Sequence, residues 1–79
     1  MKDFVYYGEL FNIYGFLLTE KQQDIFSLYY NENLSLSEIA EEKSVSKSYI
    51  GKVISDVEKK LDYYEENLKH YELIKKIEK

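Results

Sequence analysis

Between Ser35 and Val53 the chain reads SLSEIAEEKSVSKSYIGKV, and the spacing within this stretch admits few folds. Ser35 stands three residues before Glu38, the pattern of a reciprocal helix cap. Leu36, Ile39 and Ala40 then give a short helix one apolar face, with Ala40 small enough to let a second helix cross close by. Val45 falls in the turn that follows and is expected to plug the corner. Ser46 caps the next helix, and Ile50 and Val53 turn that helix back into the core. Two short helices crossing at about 90–120° around a three- to four-residue turn need this spacing. The stretch predicts a helix-turn-helix, with Ser44 at the turn position where Gly is common.

The remainder of the chain supports an all-helical domain. In 79 residues there is no Pro, and Gly occurs only at 8, 15 and 51. Such a chain, rich in Leu, Ile, Glu and Lys, has a helical composition. Its length suits one small domain with a marginal core, which a second copy would supplement. The absence of Cys removes disulfides and thiolate ligands. No apolar run approaches the ~20 residues of a membrane span, and Asp3 interrupts any signal-peptide pattern. These features make a cytoplasmic location the expectation.

Phe4, Tyr7, Phe11, Tyr14 and Leu18 recur at helical spacing and predict a first helix over 3–16, with Asp3 at its start and Gly15 at its end. Thr19 and Gln22 form a second capping pair ahead of a helix that ends at Asn31-Glu32-Asn33, with Leu34 pinning the loop. The third helix is expected from Leu36 to Lys43 and the fourth from Lys47. Beyond Lys47 the apolar residues Ile50, Ile54, Val57, Leu61, Tyr64, Leu68 and Tyr71 keep a heptad step. An unbroken helix to residue 78 would be about 45–50 Å long, too long for residues 1–46 to cover. The alternative is a break near Asp62–Asn67 with a fold-back. In either case Leu61, Tyr64, Leu68, Tyr71 and Ile74 are the expected homodimer interface. The chain then divides into two N-terminal helices (3–34), the helix-turn-helix (35–55) and a dimerising C-terminal segment (56–79).

Charge is unevenly spread. The net charge is −4, yet residues 43–60 carry five Lys against Asp56 and Glu58, a net of +3. This basic segment coincides with the second helix of the motif. Lys43, Ser46, Lys47, Ser48, Tyr49, Lys52 and Ser55 are therefore the candidate nucleic-acid-binding residues, with Lys59 and Lys60 further along. All eleven basic residues are Lys, and Lys lacks the planar fork with which Arg reads guanine edges. Phosphate contact is the expected mode. Nothing in the chain forms a catalytic constellation. His70 is the single His, Glu41-Glu42 and Glu65-Glu66 point to different sides of a helix, and there is no Gly-rich phosphate loop. No enzyme activity, cofactor or metal is expected.

The run LLTEKQQDIFSLYYNENLSLSEIAEEKSVSKSYI, followed by EKKLDYYEENLKHYE, resembles the YlxM family of small bacterial proteins over residues 8–73. That resemblance implies a sigma-region-4-like helix-turn-helix bundle with a long or broken C-terminal helix. It also implies a link to the signal recognition particle, beside whose GTPase the family is encoded, with DNA binding proposed from the fold. Position by position, Lys47 replaces a usual Arg, Ser48 a usual Gln, and Tyr49-Ile50 a usual Ala-Val. Gly51 stands where a larger residue is common. These replacements remove the usual base-edge readers while sparing the scaffold. Two functions follow as expectations. One is a nucleic-acid-binding regulator, on DNA or RNA. The other is a protein adaptor for the particle GTPase or its RNA, using acids such as Glu38, Glu41 and Glu42.

Overall fold

The computed structural model describes residues 4–69 and Leu73. Among the described residues four α-helices are complete: α1 (Phe4–Tyr14), α2 (Glu20–Tyr30), α3 (Leu36–Lys43) and α4 (Lys47–Leu68), with a 3-10 turn at Gly15–Leu17 between the first two. No strand occurs among the described residues. The fold is all-helical, and α3, its turn and the start of α4 form the helix-turn-helix.

Local chemistry sets most of the boundaries. The Thr19 hydroxyl accepts from the Gln22 backbone N–H at 3.2 Å, and the Gln22 side chain accepts from the Thr19 N–H at 3.2 Å. Ser35 and Glu38 repeat this reciprocal cap at 3.1 and 2.8 Å. Each box satisfies two backbone donors that a helix start leaves open. At the end of α3, Ser44 adopts the left-handed conformation with φ 57°. Its N–H reaches the Glu41 carbonyl at 3.2 Å, and the Val45 N–H reaches the Ala40 carbonyl at 3.0 Å. This Schellman arrangement stops the helix sharply and redirects the chain into α4. Asn33, also at φ 57°, turns the chain between α2 and α3, and the Leu34 N–H bonds the Leu28 carbonyl at 3.1 Å.

The core is drawn from every helix. Leu10 and Tyr14 of α1, Ile25 and Phe26 of α2, Ile39 and Ala40 of α3, and Ile50, Val53, Ile54, Val57 and Leu61 of α4 are buried, together with Leu18. A second, polar seam joins α1 to α4. The Tyr7 hydroxyl donates to Asp62 Oδ2 at 2.8 Å, and the Tyr14 hydroxyl donates to Glu65 Oε1 at 2.6 Å.

The structure corrects several expectations. The first helix gives way to the 3-10 turn at Gly15, so it is shorter than 3–16; Asp3 lies outside the described residues. Its deepest residue, Leu10, belongs to the flank of the Phe4–Leu18 stripe, and Phe4 is exposed. Asp62–Asn67, where a break was one expectation, are helical, and α4 instead ends at Leu68, capped by Lys69 with φ 55°. The Asn67 side-chain amide stays within the helix by donating to the Tyr63 carbonyl at 2.7 Å. Leu61 is not an interface residue: it is fully buried within the chain. The reason is that α1 runs beside this part of α4 and covers it at Leu61. Tyr64 is half-buried for the same reason, its ring 6.0 Å from that of Tyr14 and its hydroxyl donating to the Leu17 carbonyl at 3.4 Å. Leu68 is exposed, and Tyr71 and Ile74 lie outside the described residues. Val45 does not plug the corner of the motif but stands 39% exposed.

Candidate nucleic-acid interface

The fourth helix presents two opposite faces, and the motif uses both. Ile50, Val53, Ile54, Val57 and Leu61 point into the core. At 100° per residue, Ser48, Lys52, Ser55 and Lys59 fall on the opposite side. All four are exposed. They form one ridge of alternating hydroxyls and ammonium groups about 16 Å long at 1.5 Å per residue. Lys47 is exposed at the first position of the same helix.

Ser46 caps the start of this helix. Its hydroxyl oxygen accepts from the Tyr49 backbone N–H at 3.0 Å, so its acceptor capacity serves the cap, and only its O–H remains to meet a phosphate. Gly51 is less constrained than its position implies. A Cβ there would meet the Leu36 side chain at 3.8 Å, ordinary contact, so neither a close helix crossing nor backbone strain requires glycine.

The lysines differ in what holds them. Lys52 lies 3.8 Å from Asp56 one turn along α4 and is 76% exposed, a loose pair of the kind that costs little to open. Lys43 forms an ion pair with Asp24 of α2 and is 31% exposed. The hydrogen bond that the Lys43 ammonium donates to Asp24 raises the Lys43 pKa above the usual ammonium value, against a smaller effect of desolvation. Lys60 turns away from the ridge and donates to Gln22 Oε1 at 3.1 Å, tying α4 to the cap of α2. The exposed face is therefore Lys47, Ser48, Lys52, Ser55 and Lys59, with Lys43, which the sequence placed on it, and Lys60 engaged elsewhere.

Tyr49 is half-buried rather than presented on the ridge. The Lys21 ammonium sits over its ring, 4.9 Å from the centroid, within the range of a cation–π contact. Beside this pair an open groove of about 940 Å³ runs between α2 and the motif, lined by Lys21, Asp24, Lys43, Val45 and Tyr49 among others. Lys21 and Asp24 are the residues that sequence reasoning missed. They sit in the acidic first half of the chain, and no local pattern announces that α2 will pack its first two turns beside the motif.

Among the described residues no three His, Cys, Asp or Glu side chains are grouped to hold a metal ion, and no helix is long and apolar enough to cross a membrane. The arrangement offers hydrogen-bond donors and positive charge on a rigid helix, the means of contacting phosphate.

The chain is similar to several known bacterial proteins. It is 42% identical over an 81-residue alignment to the UPF0122 protein of Caldanaerobacter subterraneus subsp. tengcongensis, covering 98% of this chain and 69% of that protein. It is 49% identical over 70 residues to the UPF0122 protein of Clostridium perfringens strain 13, covering 89% and 60%. It is 46% identical over 69 residues to that of Clostridium kluyveri ATCC 8527, covering 87% and 62%. The chain thus spans between 60% and 69% of the length of these relatives. A family model described as "Putative helix-turn-helix protein, YlxM / p13 like" matches residues 1–79. With its caps, its left-handed turn at Ser44 and its exposed α4 ridge in place, the chain belongs to this YlxM / p13-like helix-turn-helix family.

Proposed function

We propose that the protein is a nucleic-acid-binding regulator that lays α4 along a phosphate-lined groove. The observation that carries this reading is the single exposed ridge of Ser48, Lys52, Ser55 and Lys59, with Lys47 at its head, opposite the buried face of the same helix. A B-DNA major groove about 12 Å wide admits an α-helix. The hydroxyls and ammonium groups of the ridge would bond phosphate oxygens, and Lys supplies no bidentate match to guanine. Binding is then weak, tolerant of sequence and steeply dependent on salt. Within this reading we place the regulator in the signal recognition particle pathway, which the sequence resemblance implies as an expectation. Two copies joined near the end of α4 through Leu68 would present two ridges.

The test is binding of the purified protein to duplex DNA from its own operon and to random DNA at low and moderate salt. Lys47→Ala with Lys52→Ala is expected to weaken both. Unchanged binding in that double variant would remove the ridge from the interface.

A second reading is an adaptor for a basic protein, favoured by the exposed acids Glu38, Glu41 and Glu42 on α3. Recovery of the particle GTPase from cell extract after nuclease treatment, lost on substituting those acids, would favour it over the first.

A further inference from the structure

The lysines of the motif are not equally available, and the difference has a structural cause. Lys47 has no ion-pair partner among the described residues. Lys52 pairs loosely with Asp56 on its own helix and stays largely exposed. Lys43 is held across the fold: its ammonium donates to Asp24 Oδ2, nineteen residues earlier and on another helix. Asp24 and Lys43 stand together on the wall of the groove that opens beside Tyr49 and the first turn of α4. A carboxylate oxygen in that position offers Lys43 what a phosphate oxygen would offer, one negative charge at hydrogen-bond distance.

Resting on the nucleic-acid reading above, we propose that Asp24 is an internal competitor for the phosphodiester backbone, holding Lys43 out of the interface and so lowering affinity. Lys43 is then a latent contact. It joins the interface only when Asp24 is neutralised or displaced. The neighbouring charges bear on the same exchange. Glu20 also lines the groove and repels an incoming phosphate, while Lys21, above Tyr49, attracts one. Because the Asp24 carboxylate is 54% exposed, the pair can open to solvent without unfolding α2.

The experiment measures binding to a fluorescent random DNA duplex across a salt series. It compares the unmodified protein with Asp24→Asn, Asp24→Ala, Lys43→Ala and Asp24→Asn/Lys43→Ala, and uses Lys47→Ala/Lys52→Ala as a control. Helical circular dichroism of each variant establishes that it is folded. Lys43→Ala alone is expected to leave binding unchanged. Both Asp24 variants should bind about two- to fivefold more tightly, the range an exposed pair supports. They should also steepen the salt slope by about 0.9, the mark of one added phosphate contact. Adding Lys43→Ala to Asp24→Asn should cancel both gains. A gain that persists without Lys43 would overturn the proposal, because it would reflect only the loss of a negative charge. So would a Lys43→Ala loss as large as that of the control. DNA binding with no response at Asp24 would defeat the proposal alone, whereas no binding by any variant would defeat the nucleic-acid reading and this proposal with it.

Discussion

The phenol ring of Tyr30 occupies the space in which a Cβ on Gly8 would stand, with the ring Cζ 1.8 Å and the hydroxyl oxygen 2.1 Å from that point. Gly8 therefore lets α1 and α2 meet, although its φ is ordinary for a helix. The ring cannot swing aside without loss. It is stacked 6.4 Å from Phe26 and lies 4.7 Å from Phe4. Gly8→Ala gains about 1 kcal/mol of helix propensity but forces an overpacking cost of about 1–3 kcal/mol, so the sum is expected to be destabilising. In a Tyr30→Ala background the clash is gone and the same change should stabilise. Thermal denaturation of the four proteins checks this reversal of sign; a Gly8→Ala that stabilises in both backgrounds would refute the contact.

Leu61 and Leu68 lie one heptad apart on the same line yet differ completely in environment, fully buried against 49% exposed. Leu61→Ala is expected to lower the stability of the folded chain by about 2–5 kcal/mol, the range for a truncated core leucine. Leu68→Ala should change it by no more than about 0.5 kcal/mol at low concentration. If two copies meet at Leu68, its effect will grow with protein concentration, as linkage between folding and association requires. Denaturation at two concentrations separates the two roles.

This pair also marks where the sequence ceases to be legible. Capping at Thr19–Gln22, Ser35–Glu38 and Ser46 could be read directly, because each bond spans three residues and depends on little else. The helix-turn-helix followed from those caps and from the spacing of Ala40, Val45, Ile50 and Val53. The heptad from Ile50 onward showed which side of α4 is apolar, but periodicity does not say what covers that side. At Leu61 the cover is α1, fastened to α4 through Tyr7 on Asp62 and Tyr14 on Glu65. The Gly8–Tyr30 approach and the Asp24–Lys43 pair were out of reach for the same reason. They arise from how helices pack, and nothing adjacent to them in the chain encodes it. Within the candidate interface, Lys47, Ser48, Lys52 and Ser55 are exposed, whereas Lys43 and Tyr49 are partly withdrawn by α2 residues.

The seam between α1 and α4 carries a pH dependence of definite sign. Burial, and then the charge of Asp62 one turn on, hold the Glu58 carboxyl above the usual carboxylate range. A raised folded-state pKa means that the native state takes up the proton more readily than the unfolded chain. The stabilising contribution of Glu58 is thus complete below the unfolded value of about 4.3 and is lost as pH rises through the folded value. Tyr7 is also raised, by burial first and then by its hydrogen bond to Asp62. Its contribution is present below the unfolded phenol value of about 10 and falls away at higher pH. Glu58→Gln is expected to raise the melting temperature near neutral pH, with the advantage shrinking on mild acidification. Tyr7→Phe should flatten the alkaline decline. Melting curves across pH check both, and a Glu58→Gln advantage that grows toward acid would show the sign to be wrong.

The turn of the motif stores strain at one residue and is secured at another. Ser44 sits in the left-handed region with φ 57° and ψ 44°, a conformation that costs an L-residue about 1–2 kcal/mol. Glycine adopts it freely but gives up more conformational freedom on folding, about 0.5–1 kcal/mol. Ser44→Gly should therefore stabilise the fold modestly, by about 0.5–1 kcal/mol after that offset. Ser46 has the opposite role. Its hydroxyl caps α4 through the Tyr49 N–H, and Ser46→Ala should cost about 1 kcal/mol. The first change leaves every ridge residue in place, so DNA affinity per folded molecule should not move with it. A Ser44→Gly protein that unfolds more easily would mean that the serine side chain stabilises this turn by more than its strain costs.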